Sequence, residues 1–371
     1  MFPPKTVGII GNLGQMATNV VTPLFREAGY DVIGSDIKNL QGLTNKEVVK
    51  VADVVYFSVL PISEVASIIR DLIPYAKPDT LWLHGTSIQN PVGGPITPVL
   101  LDERLIAQGV TTGFLHFMVG PMTRSLRGQS IMYGFLSPAT DNNRWEEWLV
   151  NLLKTKHPVL VGCTPEEHDS LTTVSQVIPM IVSQLVGQLG KIFGSKLFQG
   201  IRLGGPPCWL QFYAMLRSLN QGSVVANILT NHPYTKIIVR DASVALRAIG
   251  AGRVPELETM ARDAMGVFTK DQLALTGHST EWHICLEGDL RSGAACFNFS
   301  AEENKLGLLT AVLKIFDEHG LNKTSCMAQE VPSGGCRFEI GLKEIEDPRV
   351  KDACDQIIRE FGGKQFVRVP R

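Results

Sequence analysis

Residues 11–17 read Gly-Asn-Leu-Gly-Gln-Met-Ala, set between a strand-like run, TVGII, and a helical pattern. Glycines at Gly11 and Gly14 allow a tight turn there. They let backbone N–H groups of Asn12, Leu13, Gln15 and Met16 approach a pyrophosphate at the start of the helix. The spacing is GxxGxxA rather than GxGxxG, so its weight comes from context. Asp36 supplies that context: it closes the second strand pattern, 19 positions after Ala17. A carboxylate there accepts hydrogen bonds from ribose hydroxyls and repels a 2′-phosphate, which favours NAD over NADP. Ser58 and Leu60, in Ser58-Val59-Leu60-Pro61 at the end of the third strand pattern, place backbone where it could line the cofactor's ribose. A strand, turn and helix with no ligand is the alternative reading of the same residues.

Two other side chains invite a chemical reading. His116 ends a strand pattern and is followed by Gly120-Pro121, where a pocket would open. A neutral imidazole, with a pKa near 6.5, can take a proton at neutral pH. Arg217 sits in a largely apolar stretch, so its guanidinium must find an anion. Each could equally be structural. The seven cysteines, Cys163, Cys208, Cys285, Cys296, Cys326, Cys336 and Cys354, form no CxxC. They read as reduced thiols in a cytoplasmic protein, with no zinc spacing and no metal site.

The elements that must hold these residues follow from periodicity. Up to residue 163, short apolar runs alternate with helical patterns, which predicts an α/β fold with a doubly wound, parallel Rossmann-type sheet and helices on both faces. Thr164-Pro165-Glu166-Glu167 is a capping box that opens a helical region over 164–279. Its first helix is apolar on most of its surface, which predicts burial against a second copy and a homodimer. Pro179 should kink or break that helix. From about 280 to 371 the order βαββα, with a last strand at FVRVP, predicts a ferredoxin-like α+β module.

Composition narrows the classes. Of 371 residues, 35 are Lys or Arg and 36 Asp or Glu, giving a net charge of −1. No basic footprint marks a nucleic-acid partner. No run of 18 or more apolar residues occurs, so no membrane span is expected.

In their order along the chain, several motifs resemble those of the prephenate dehydrogenase family. They are GNLGQMA at 11–17, HGTSIQNP at 84–91, GFLHFMVGP at 113–121, the Glu167-His168-Asp169 pair-and-helix start with Gln176, and YAMLRSL at 213–219. The piece FNFSAEENKLGLLTAVLKIFDEHGLNKT resembles an ACT domain, a module that binds amino acids. Departures from the family pattern fall at His84, Gln89 and Phe117, and at Gln176 and Pro179, where many members carry histidines.

The resemblance implies NAD-dependent oxidative decarboxylation of prephenate in tyrosine biosynthesis, with an amino-acid effector at the C-terminal module. It casts His116 as the base on the substrate hydroxyl and Ser87 as the group that orients it. Arg217 becomes the carboxylate clamp, with His168 and Gln176 as substrate-side donors. Arogenate or another cyclohexadienyl acid is the neighbouring alternative. A non-catalytic amino-acid sensor on a dehydrogenase scaffold is the alternative of another class.

Overall fold

The computed structural model describes residues 2–39, 41–92, 95–121, 123, 125–136, 142–194, 196, 222–265, 294–300, 304–330 and 335–366. The described residues within Met1–Ile192 and Ala214–Arg253 form one compact unit, and those within Phe193–Tyr213 and Val254–Arg371 form a second.

The first unit is organised by a seven-stranded sheet. Its strands are β1 (Thr6–Ile10), β2 (Asp31–Ser35), β3 (Val54–Phe57), β4 (Leu81–His84), β5 (Thr111–Phe117), β6 (Ser130–Phe135) and β7 (Val159–Gly162). They lie in the order β2-β1-β3-β4-β5-β6-β7. Strands β1 to β5 are parallel, and β6 meets β5 antiparallel. Every residue of β3, β4 and β5 is buried, as expected for strands covered on both faces. This is the Rossmann-type α/β sheet that the alternating patterns predict, except that β6 departs from the expected parallel arrangement.

Each face of the sheet has its own apolar core. On one face the helix Ile62–Leu72 buries Ile62, Val65, Ala66, Ile69 and Leu72, a stripe at helical spacing. That core includes Val177 and Ile228, so part of the helical region shares a core with the sheet. On the other face, Val20, Val21, Leu24 and Phe25 pack with Trp145, Trp148 and Leu149.

The helical region opens as its capping box requires. Thr164 accepts from the Glu167 amide, and the Glu167 carboxylate accepts from the Thr164 amide. The helix then continues to Phe193, across the Pro179 that sequence alone expects to kink or break it. A π-helical turn at Thr173–Val177 accounts for this. Widening the helix just before the proline relieves the clash of its ring with the preceding turn. This continuous 29-residue helix is long and apolar enough, by length and composition, to cross a membrane, which counting uninterrupted apolar residues missed. It nevertheless carries His168, Asp169 and Thr172 buried among protein groups.

In the second unit, β8 (Ala294–Phe299), β9 (Lys323–Glu330), β10 (Cys336–Leu342) and the two-residue β11 (Lys364–Gln365) form an antiparallel sheet ordered β11-β8-β10-β9. Helices Leu308–Glu318 and Pro348–Phe361 pack in its core, completing a βαββαβ module. The last strand lies just ahead of FVRVP, whose final residues are outside the described ones, as are those of the EWHICLEG run.

Candidate active site

The ends of parallel strands set the stage. Gly11 follows β1, Asp36 follows β2, Ser58 follows β3, Ser87 and Gln89 follow β4, and His116 lies near the end of β5. All therefore gather along the carboxyl edge of the sheet, where α/β proteins bind ligands.

The glycine loop is built as a cradle. Gly11 has φ +84°, and a Cβ there would lie 2.4 Å from the Ser58 carbonyl oxygen. The amides of Gly11 and Asn12 donate to the Ser35 carbonyl at 2.8 and 3.2 Å. Asp36 reaches back to the loop, its Oδ2 accepting from the Leu13 amide at 3.2 Å and its Oδ1 from the Lys38 amide at 2.9 Å. Gln15 and Met16 open the helix, and first-turn N–H groups have no carbonyl partner inside a helix. Asn12 Oδ1 is buried without a hydrogen-bond partner. Leu13, Leu60 and Ile37 leave apolar surface exposed around this loop, 89% of Ile37 among them. Sequence reading passed over Ile37, since an exposed isoleucine carries no local signal.

The cradle gives a direct expectation. Gly11→Ala should destabilise the protein by about 2 kcal/mol or more, through positive φ and the collision with Ser58. It should also weaken dinucleotide binding. Thermal unfolding and a cofactor titration check this, and an unchanged melting temperature would refute the loop geometry.

The second cluster surrounds His116. Phe114 and His116 point to the same face of β5, and His84 at the end of β4 pairs with Phe114 on β5. The His168 ring packs 5.3 Å from Phe114 and 5.1 Å from His116, centroid to centroid. His116 Nδ1 lies 2.9 Å from His168 Nε2, and His168 Nδ1 lies 3.0 Å from Asp169 Oδ1. Asp169 in turn accepts from the backbone amides of Gln89, at 2.8 Å, and Asn90, at 2.9 Å. All three side chains are buried: His116 is 4% exposed, His168 0% and Asp169 2%.

Hydrogen placement follows from the acceptors. Both Asp169 oxygens accept, so His168 donates from Nδ1 and presents a bare Nε2. His116 must then donate from Nδ1, which leaves a lone pair on its Nε2 with no hydrogen-bond partner among the described residues. One strand over, the Thr86 hydroxyl donates to the Ile88 carbonyl at 2.7 Å, so His84 donates from Nδ1 to Thr86 Oγ1, also at 2.7 Å. His84 Nε2 is left buried and unpartnered.

Burial, above all, pushes His84 down to about 3 from the usual imidazole value, helped by neighbouring His168 and opposed by Asp169. Burial, then His168 and His84, hold His116 well below that usual value. Both rings are thus kept neutral, and a neutral His116 can act as a base.

The other expected site residues fall into place unevenly. Ser87 is half-buried on the β4 turn, but the hydrogen bond on His116 Nδ1 goes to His168 instead. His168 is sealed behind His116 with both ring nitrogens engaged, so it does not face a ligand as a substrate-side donor would. Gln176 lies on the π turn, its amide nitrogen 3.6 Å from Met118 Sδ, and its Oε1 is buried without a partner. That turn re-aims the side chain toward the loop after β5. Arg217 lies outside the described residues. Sequence reading missed Asp169 and Gln89 as members of the site. Gln89 is fully buried, and its Nε2 donates to the Thr86 carbonyl at 3.1 Å and sits 3.4 Å from His168 Nε2. Among the described residues, no group of three His, Cys, Asp or Glu is arranged to hold a metal ion.

The two clusters touch. Asn19, on the helix that begins at the glycine loop, donates from Nδ2 to the Pro121 carbonyl at 3.0 Å, just past the His116 strand.

Comparison with known proteins adds names but not identity. No family model matches the chain, and no curated protein matches it. Among solved structures it is similar to an arogenate dehydrogenase from Synechocystis. Identity is 16% over 70% of this chain and 98% of that one, with a TM-score of 0.45. It is also similar to a prephenate dehydrogenase from Aquifex aeolicus, at 18% identity over 70% of this chain and 97% of that one, TM-score 0.45. The Aquifex aeolicus enzyme in complex with hydroxyphenyl propionate and NAD+ matches at 17% identity over 71% and 98%, TM-score 0.41.

Proposed function

We propose that this protein is an NAD-dependent dehydrogenase of a cyclohexadienyl acid, prephenate or a close relative such as arogenate. The observation that carries the reading is the buried Asp169–His168–His116 chain, which holds His116 neutral with a bare Nε2 at the sheet edge occupied by the glycine loop.

The loop residues fit a dinucleotide. Gly11, Asn12, Leu13, Gly14, Gln15 and Met16 would hold the pyrophosphate, and Asp36 the adenosine ribose, with Ser58 and Leu60 alongside. The nicotinamide, when bound, supplies the hydride acceptor. His116 takes the proton of the ring hydroxyl at Nε2, general-base catalysis that requires the neutral imidazole this burial enforces. Loss of hydride from the carbinol carbon and of the proton from its hydroxyl lets the ring carboxylate leave as CO2 while the ring becomes aromatic. Arg217 is assigned to a substrate carboxylate, whose planar geometry a guanidinium matches in two places. Gln176, with an unpartnered buried oxygen, is assigned to the substrate's side chain. Ser87, half-buried on the β4 turn, is assigned to orienting the substrate hydroxyl, and the C-terminal module to an amino-acid effector.

Formation of reduced cofactor with prephenate, arogenate and 4-amino-4-deoxyprephenate, each with NAD and NADP, tests the proposal. Turnover of one of them with an NAD preference is expected. Failure with all of them under both cofactors would refute it. We assign the homodimer to the long helix of the first unit. After the π turn Ile178, Leu185 and Ile192 recur on it at heptad spacing, and with Leu171 and Val174 ahead of that turn they are 40–74% exposed. Light scattering should give twice the chain mass, and a monomer at micromolar concentration would overturn the assignment.

A further inference from the structure

The hydrogen-bond chain behind His116 has a direction and an end. It runs from His116 Nδ1 to His168 Nε2, and from His168 Nδ1 to the Asp169 carboxylate. Resting on the dehydrogenase reading above, we infer that a proton taken by His116 is passed to His168, so the base is an imidazole pair with Asp169 as its fixed counter-charge.

The step balances without any further reagent. The substrate O–H bond breaks, and its proton bonds to His116 Nε2. The Nδ1–H bond of His116 breaks in turn, and that proton bonds to His168 Nε2. His116 ends neutral with its hydrogen on Nε2. His168 ends as an imidazolium, its Nδ1–H still on Asp169. Loss of CO2 leaves the product oxygen as a phenolate, and the proton returns to it by the same route before product departs.

Surroundings decide where the charge rests. A cationic His116 would sit 4% exposed among Phe114, the neutral His84 and His168, with no carboxylate bonded to it. The same charge on His168 lies 3.0 Å from a carboxylate oxygen that two backbone amides lock in place. In a water-poor interior that pairing outweighs the rest. The other groups facing His168 are polar but uncharged: the Gln89 amide at 3.4 Å, and Thr172, whose hydroxyl donates to the His168 carbonyl and is 3.4 Å from His232 Nε2. His168 is thus a positioning residue and second proton acceptor, rather than a contact for substrate.

Histidine ¹⁵N NMR on the full chain reads this without substrate. At neutral pH both His116 and His168 should carry hydrogen on Nδ1. As pH falls, the first proton the pair binds should appear on His168, with His116 still neutral. Hydrogen on Nε2 of resting His116, or His116 charging first, would overturn the inference. Kinetics give the second arm. His168→Gln offers an oxygen that can accept from His116 but cannot keep a proton. Its kcat should fall about 10²-fold while KM and cofactor affinity hold. A kcat within about threefold of wild type would leave His168 a mere support and sink the relay. If His168→Gln does not fold, the solvent-isotope dependence of wild-type turnover decides: a curved proton inventory is expected, and a linear one overturns the relay. If no cyclohexadienyl acid is turned over, the functional reading fails, while the NMR titration still judges the pair.

Discussion

His116→Asn is expected to lower kcat by roughly 10²–10⁴ while KM moves little, because proton removal belongs to the transition state. The asparagine amide is close to the ring in size, and β5 is buried along its whole length, so the strand should stay in place. Wild-type kcat/KM should show a matching pH signature. Burial and the two neighbouring histidines hold His116 below the usual imidazole range. The base form therefore persists below pH 6.5, and the acid limb of the profile should fall below that value. Steady-state kinetics of the variant and the wild-type pH profile check both parts. A variant within a few-fold of wild-type kcat would remove His116 from the chemistry.

The second large effect is on stability in acid. His84 is fully buried, and its pKa is pushed down to about 3. Unfolding releases it to the ordinary value near 6.5, so below that pH the unfolded chain binds a proton that the folded chain refuses. The contribution is therefore fully present above pH 6.5 and shrinks as pH falls toward 3. The loss is about 2 kcal/mol by pH 5, at 1.36 kcal/mol per pH unit, and about 4 kcal/mol near pH 3. His116 and His232, both pushed down chiefly by burial, add in the same direction. Denaturant midpoints between pH 7 and pH 5 measure this. His84→Gln, which keeps a donor for Thr86, should lose about 2 kcal/mol less over that interval than wild type. Equal losses would mean that His84 is not sealed and neutral.

Much of the scaffold was legible because its signals are local. The apolar runs up to residue 163 each carry their own strand pattern, and the seven strands of the first unit form from them. The Thr164–Glu167 capping box closes within one turn and is observed as read. The glycine loop could be recognised because a strand, a turn and a helix follow one another in sequence. Pro179 shows the limit of such rules. A proline inside a helix reads as a break, yet one π turn ahead of it keeps the helix whole.

What the sequence by itself determined is what neighbours along the chain decide: the Rossmann-type alternation, the turn at Gly11, the carboxylate at the end of β2, and a histidine at the end of β5. The tertiary structure decided what distant residues do to one another. Asp169 lies 80 positions from Gln89, whose amide it accepts, and His168 lies 52 positions from His116. No local pattern links them, because hydrogen bonds between separate elements depend on how the helix at Pro165–Thr172 seats on the strand ends. That seating also changed the role of His168. In sequence it could face a ligand; in the fold it is sealed at 0% exposure, and a sealed imidazole between a carboxylate and a second imidazole orients its neighbour. The tautomer of His116, and so the nitrogen left free to take a proton, is set there rather than by its own sequence neighbours.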